Sequence, residues 1–399
     1  SLPGLELLYS DGEAFGPYVS LEAAMAAAPA EAPAFEPAGV AMCYSSGTTG
    51  QPKGILRELS GQSFSDEPLP TEALMQDHFG FDASAIYHHP APLYHAAPLM
   101  WSMGAQGMGA TVIGSPRFDA ETTLKVIERY EVTHAQFVPT HFVRMLQLPA
   151  EIREKYDHSS LRMAVHAAAP CPVEVKARMI AWWGPVLKEF YSASEGCGVT
   201  VVESGEWLAH QGTVGRSITG PIHILDDEGR DLPQGEVGHV AFENGTPFVY
   251  HKDAAKTAGY FTAQGWAKPG DMGWLDAEGY LYLADRASHM IISGGVNIYP
   301  QEIESVLTLH PAVRDVAIIG VPDAEFGEAV KAVIEPAAGV KADEALAAEL
   351  IAFCRAKLAG FKCPRTVDFV DDLPRLPTGK LLKRELRKRY WGDDRKLIA

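Results

Sequence analysis

The sequence has no apolar run of roughly 18 residues or more and no basic segment followed by an apolar one at its start, so neither a membrane-spanning helix nor a secretory signal is expected. The compartment this predicts is the cytoplasm. Cysteine is scarce: Cys43, Cys171, Cys197, Cys354 and Cys363 show no Cys-x-x-Cys or Cys/His ligand spacing. A disulfide framework is therefore not expected, and the five read as free or buried thiols. Positive charge is in short supply, with 34 Lys and Arg against 51 Asp and Glu and a net charge of −17. That balance counts against nucleic acid or an anionic membrane as partner, because phosphate surfaces need a basic footprint. Basic and acidic side chains number 16 each after Ser288, so the whole acidic excess lies ahead of it. Two bodies of different character follow. Internal repeats and low-complexity segments are absent.

What is present is ordinary globular composition, 47% hydrophobic and 21% charged over 399 residues, enough for two or three compact units. Residues 21–38 read as a short helix with Leu21, Ala24 and Met25 on one face, ended by Pro29 and Pro33, and then a linker. Apolar runs at 40–44, 111–113, 135–138 and 163–165 alternate with amphipathic stretches such as 122–130 and 173–183. This pattern predicts an α/β body with a mainly parallel sheet and crossover helices. From 216 to 243, turn signals at 226–229 and 233–235 predict a small antiparallel β unit. After Arg286 an α+β pattern begins, with helices at 300–309, opening on Pro300, and 343–358.

The strongest local signal is Tyr44-Ser-Ser-Gly-Thr-Thr-Gly-Gln-Pro-Lys-Gly54, directly after an apolar strand. Gly47, Gly50 and Gly54 let backbone amides approach an anion, the hydroxyls of Ser45, Ser46, Thr48 and Thr49 donate, and Lys53 adds charge. The chemistry suits a triphosphate. It is not the Walker pattern, since Pro52 precedes the lysine and Gly54 stands where that motif has Ser or Thr.

This loop resembles the phosphate-binding signature of the adenylate-forming superfamily of acyl-CoA synthetases, luciferases and peptide-synthetase adenylation domains, and further elements recur in the family's order. Pro92-Leu-Tyr-His-Ala-Ala-Pro98 resembles the element bordering the acid pocket, which implies Tyr94, His95 and Ala96 there with Phe137, Gly196 and Gly198. Ala167-Ala-Ala-Pro170, with Ala168 and Ala169, is similar to the turn against adenine. Tyr191-Ser-Ala-Ser-Glu-Gly196 is similar to the segment whose tyrosine stacks on adenine, here with Ser192 and Ala193 beside it, whose hydroxyl (Ser194) reaches the α-phosphate and whose glutamate (Glu195) helps hold Mg²⁺, with Thr48 as the other metal contact. Asp271 looks like the ribose aspartate, with Arg286 opening the segment before the C-terminal domain. Pro374-Arg-Leu-Pro-Thr-Gly-Lys380 matches the loop of the adenylation lysine. Ile291-Ile-Ser-Gly-Gly-Val-Asn-Ile-Tyr-Pro300 implies coenzyme A contacts at Ser293, Gly294 and Gly295, although the same glycines read equally as a hairpin turn. Taken singly, His95 is a polar residue beside a strand, Glu195 a helix-start carboxylate, Asp271 a turn residue, and Lys380 the start of a solvated basic helix.

The resemblance implies an AMP-forming acyl-CoA synthetase with ATP, Mg²⁺ and coenzyme A, and Lys380, Glu195, Thr48 and His95 as its catalytic set. It implies an ATP- and acid-binding domain at 1–287 and a small mobile α+β domain at 288–399, hinged at Ser288, where the family usually has Asp or Lys. Partners are small molecules, with no nucleic acid and no integral membrane association, and a homodimer is left open. Small residues at Ala96, Ala97, Gly104, Gly107, Ala167, Gly196 and Gly198, walled by Phe137 and Val199, predict a large hydrophobic acid such as a fatty, aryl or sterol side-chain acid. Transfer to a carrier protein or another acceptor, and a non-catalytic remnant of the fold, are the alternatives. Most of the long stretch that family members carry before the glycine-rich loop is missing, which predicts a shortened form or a sheet completed in another way.

Overall fold

The structure is a computed structural model that describes residues 8–31, 36–45, 53–59, 61, 63, 70–375 and 381–391. Contacts divide it into two compact units, residues 1–40 with 59–67, and residues 41–58 with 68–399. In the first, Tyr9–Ser10 pairs in parallel with Val19–Ser20, and Ser20 caps the helix Leu21–Ala27 by accepting from the Ala23 amide. The helix expected from the sequence is present, but it buries none of its residues.

The second unit is built on a sheet whose strands run in the order Arg216–Ser217, Thr200–Glu203, Leu187–Tyr191, Met163–His166, His134–Phe137, Ile86–His89 and Thr111–Gly114. From Leu187–Tyr191 onward every pairing is parallel, and the two strands before it are antiparallel. Parallel neighbours cannot be joined by tight hairpins, so helices Ala96–Gly107, Ala120–Arg129, Pro139–Leu146 and Val173–Trp183 make the crossings. Helices cover both faces, which is why His134–Phe137 and Met163–His166 are buried at every position, polar His134, Gln136 and His166 included. Leu124, Ile127, Phe142, Met179 and Trp183 pack on one side, and Met75, Phe79, Tyr87 and Trp101 on the other.

Two features of this packing bear on the site. Gly104 and Gly107, expected to widen an acid pocket, face the helix Pro70–Phe79, where an added Cβ would lie 2.8 Å from Met75 Sδ and 2.1 Å from Glu72 Oε1. Their lack of a side chain lets two helices close on each other. Beneath the Val173–Trp183 crossover, Lys176 Nζ meets Glu189 Oε2 at 2.5 Å, with the lysine ammonium 4.9 Å from the Trp207 ring and both charged residues buried.

A four-stranded antiparallel sheet, Ile222–Leu225, Gly238–Phe242, Asp271–Leu275 and Leu281–Arg286, forms the small β unit. Arg216–Ser217, expected within it, joins the large sheet instead. Cys43–Ser45, Lys53–Arg57 and Phe248–Tyr250 make a further antiparallel sheet. In the C-terminal part, Val313–Asp323 and Gly327–Pro336 form a long ribbon that alternates its side chains between two cores. Ile318 goes to one side with Ile303, Leu307 and Leu350, and Ala317 and Ile319 to the other with Leu386. Helices Pro300–Leu307 and Glu344–Arg355 thus cover one face and Lys383–Trp391 the other. The architecture is the expected α/β fold, a mainly parallel large sheet with a small β unit and an α+β C-terminal part. The boundary expected at 288 falls inside the second compact unit. Among the described residues no helix is long and apolar enough to cross a membrane.

Removing either partner of the Lys176–Glu189 pair leaves a charge buried alone. Lys176→Met is expected to lower unfolding free energy by about 3–5 kcal/mol in chemical denaturation, and adding Glu189→Leu to recover most of that loss. A double variant as unstable as the single one would show that the two charges are not coupled.

Candidate active site

Met163–His166 and Leu187–Tyr191 are adjacent parallel strands, so whatever follows the one emerges beside the end of the other. The first continues into Ala167-Ala-Ala-Pro170, where Ala168 has φ of +74°. Alanine in the left-handed region costs roughly 1–2 kcal/mol, strain of the kind that concentrates at binding sites. The second ends in Tyr191, whose hydroxyl donates to Asp271 Oδ2 at 2.5 Å. Asp271 faces Arg286 across the strand pair, with Arg286 Nε 3.3 Å from its Oδ1. Burial pushes the Asp271 carboxyl up and the guanidinium opposes this, while burial and then Asp271 push the Tyr191 phenol up. Residues far apart in sequence thus converge as one polar cluster.

After Tyr191 the chain turns sharply, the Gly196 amide donating to Ala193 O at 2.8 Å with Gly196 at φ +81°. Ser192 Oγ donates to Gly198 O at 2.7 Å, and Gly198, at φ +146°, lies against the Phe242 ring, leaving no room for a Cβ. The turn presents Glu195, which accepts from the Tyr250 hydroxyl at 2.7 Å, while Arg57 donates to the Ser194 carbonyl at 2.9 Å. Lys53 Nζ sits 5.2 Å from the Tyr250 ring centroid. Burial and the adjoining Lys256 ammonium pull the Lys53 amine down to about 8, against the attraction of Glu195 and Asp253. Among the described residues no three His, Cys, Asp or Glu side chains gather as a metal cage. A single carboxylate such as Glu195 suits Mg²⁺, which takes one or two protein oxygens and the rest from phosphates and water.

Ser45 stands opposite Lys53 in the antiparallel register. Ser46, Gly47, Thr48, Thr49 and Gly50 lie outside the described residues, as does Lys380; of its described neighbours, Arg375 and Leu381 form a bridge and the Leu382 amide donates to Pro374 O at 2.8 Å. His95 is the residue before the helix Ala96–Gly107, its ring 4.9 Å from that of the exposed Tyr94. Phe137 packs in the core against Phe142 and Trp183. Gly294 and Gly295 form the turn between Ile291–Ser293 and Val296–Ile298 with φ of +58° and +79°, the pair of positive angles that tight hairpins require. Ser288 is exposed within the short turn Ala287–His289, which is held by the Ala287 amide donating to Gly270 O.

Tyr250, Arg57 and Lys256 were not among the residues read from the sequence. The two-residue period of Lys53–Arg57 was an available signal for Arg57, because it puts both cations on one side of the strand. Tyr250 and Lys256 carry no motif and join the site only through strand pairing. Cys197, next to the Glu195 turn, is buried and its thiol is pushed up to about 12 by that burial, so it is no nucleophile at neutral pH.

A family model described as AMP-binding enzyme matches residues 6–246, and one described as AMP-binding enzyme C-terminal domain matches residues 302–380. The chain is 33% identical over 352 residues to a feruloyl-CoA synthase of Amycolatopsis sp, covering 88% of this chain and 69% of that one. It is 31% identical over 366 residues to the fatty acid–[acyl-carrier-protein] ligase ScoC of Streptomyces coeruleorubidus, covering 90% and 69%. The fold matches the ATP-bound crystal structure of MatB from Rhodopseudomonas palustris with a TM-score of 0.73 at 30% identity, covering 88% of this chain and 67% of that one. With the polar cluster at Asp271 and the turn at Glu195 on a fold of this kind, the chain belongs to the AMP-binding enzyme family of adenylate-forming ligases.

Proposed function

We propose that this enzyme converts a large hydrophobic carboxylic acid to an acyl-adenylate with ATP and then passes the acyl group to coenzyme A. The observation that carries the reading is the division of labour along five residues. Tyr191 belongs to a buried cluster with Asp271 and Arg286, suited to a nucleoside, and Glu195 belongs to a cationic surround of Lys53, Arg57 and Lys256, suited to phosphates.

A carboxylate is a poor electrophile because attack adds charge to an anion. In the first step a carboxylate oxygen forms a bond to the α-phosphorus while the bond to the β-phosphate oxygen breaks, its electron pair leaving on pyrophosphate. The protein's task is to bring anions together and neutralise growing charge, which suits Lys380, Lys53 and the hydroxyls of Thr48, Thr49 and Ser194. Glu195 and Thr48 would hold Mg²⁺, which would supply further neutralisation of the phosphates. In the second step a thiol sulfur bonds to the acyl carbon, the acyl–oxygen bond breaks, AMP departs with the electron pair, and the thiol proton goes to solvent. The buried Cys197 thiol supports direct transfer without an acyl-enzyme.

Relatives named for feruloyl and fatty-acid substrates support the hydrophobic acid, and ScoC favours a carrier-protein thiol as the second reading of the acceptor. The domain boundary belongs to the same proposal. Residues 288–399 carry both Lys380 and the Gly294–Gly295 turn, each wanted at the site for a different step, so this part turns about Ser288 between them.

Three outcomes are expected. Acid-dependent exchange of pyrophosphate into ATP, followed by thioester assays, selects fatty or aryl acids over acetate and polar amino acids, with free coenzyme A as acceptor. Preference for acetate would refute the hydrophobic pocket, and thioester formed only on a carrier protein would favour the second reading. Lys380→Ala depresses adenylation by roughly a hundredfold or more while leaving thioester formation from preformed acyl-adenylate nearly intact. Equal loss in both half-reactions points instead to a structural role. Ser288→Pro, which fixes φ near about −65° and restricts its neighbour, keeps pyrophosphate exchange and loses most thioester formation. A variant with both half-reactions at wild-type rates would place the hinge elsewhere.

A further inference from the structure

The helix Pro300–Leu307 begins without a cap of its own. Its first-turn amides need acceptors, and Tyr299, the residue before it, gives them no side-chain hydrogen bond. The acceptor comes from across the short turn Ala287–His289: Asp285, the last residue but one of the strand Leu281–Arg286, accepts from the Gln301 amide through Oδ2 at 2.9 Å. Its other oxygen, Oδ1, accepts from the Arg286 amide at 2.6 Å and lies 3.3 Å from His289 Nδ1. The Asp285 side chain is only 6% exposed, so a partner lost there is not replaced by bulk water. The helix dipole favours a carboxylate at this end as well.

Both sides of the contact are anchored. Successive strand residues point to opposite faces, so while Asp285 meets the helix, Arg286 turns to Asp271 and through it to Tyr191. On the far side, Glu304 accepts from the Ile318 amide at 2.7 Å and meets Lys383 Nζ at 2.7 Å, and Ile303 and Leu307 are buried in the core of the C-terminal part. The helix is thereby tied to the ribbon at 313–336 and to the helix Lys383–Trp391. A turn of that body about the junction would carry the Gln301 amide away from Asp285.

We propose that Asp285 is a positioning residue, a latch that holds the C-terminal part in the arrangement seen here and releases the Gln301 amide when that part turns, an inference that rests on the two-step reading above and on the turn about Ser288. Its effect is on the balance between two arrangements and not on the chemistry of either step.

Two substitutions test this. Asp285→Ala removes the acceptor, and Asp285→Asn keeps one, since asparagine caps helices about as well as aspartate does. With acid-dependent pyrophosphate exchange and thioester formation from preformed acyl-adenylate measured on each, the ratio of the two rates should change roughly fivefold in Asp285→Ala and stay near wild type in Asp285→Asn. A merely structural role would lower both half-reactions together and leave the ratio alone. Amide hydrogen exchange, read by mass spectrometry without substrates, gives the second measure: the start of the helix Pro300–Leu307 should exchange roughly fivefold faster in Asp285→Ala, with the ribbon at 313–336 unchanged. An unchanged ratio of half-reactions in Asp285→Ala, or faster amide exchange spread through the whole C-terminal part, overturns the latch. A wild type that shows no acid-dependent pyrophosphate exchange, yet loses protection at the start of this helix alone in Asp285→Ala, would overturn the ligase reading and leave the latch standing.

Discussion

The strand Leu187–Tyr191 is the constraint on which the site depends. It is hydrogen-bonded in parallel to Met163–His166 on one edge and antiparallel to Thr200–Glu203 on the other. A strand paired on both edges has no freedom to slip, because a one-residue shift would send Glu189 away from Lys176 and turn Tyr191 away from Asp271. The buried ion pair locks the register from inside while the strand end delivers Tyr191 and, one turn later, Glu195. Rigidity at the core and exposure at the edge are two consequences of the same pairing.

Around that edge the charges are sorted. Asp271 is buried with a single guanidinium and a phenol, a neutralised cluster in low dielectric that fits a ribose and base. Lys53, Arg57 and Lys256 converge near Glu195 instead, with cations in excess over the carboxylate. An ATP molecule has the same division, an uncharged nucleoside joined to a polyanion. Beside Tyr191, Ala168 holds a positive φ of +74°, a strained backbone position next to the polar cluster.

Much of the fold was legible in the sequence because its signals are local. The mainly apolar runs at 135–138 and 163–165 imply strands covered on both faces, and they are. Pro300 and Asp343 mark helix starts by fixing φ and by accepting an amide, and both helices begin there. Less legible were the glycines. Gly104 and Gly107 looked like space for an acid, whereas they are the contact between two helices, since a missing Cβ has the same appearance in sequence whether a ligand or a neighbour fills the gap. Gly294 and Gly295 answer to hairpin geometry on their own account.

What the sequence determined by itself was the order of its motifs, from the glycine-rich loop through Tyr191, Glu195 and Asp271 to Lys380, because each motif is a run of residues close together in the chain. Tertiary structure alone decided the partners. Tyr250 reaches Glu195, Arg57 reaches Ser194, and Lys256 comes to lie against Lys53 only because Phe248–Tyr250 pairs with Lys53–Arg57, two strands nearly two hundred residues apart in the chain. No local pattern records such a meeting, since the hydrogen bonds that create it are made between backbones and are indifferent to the side chains they bring together.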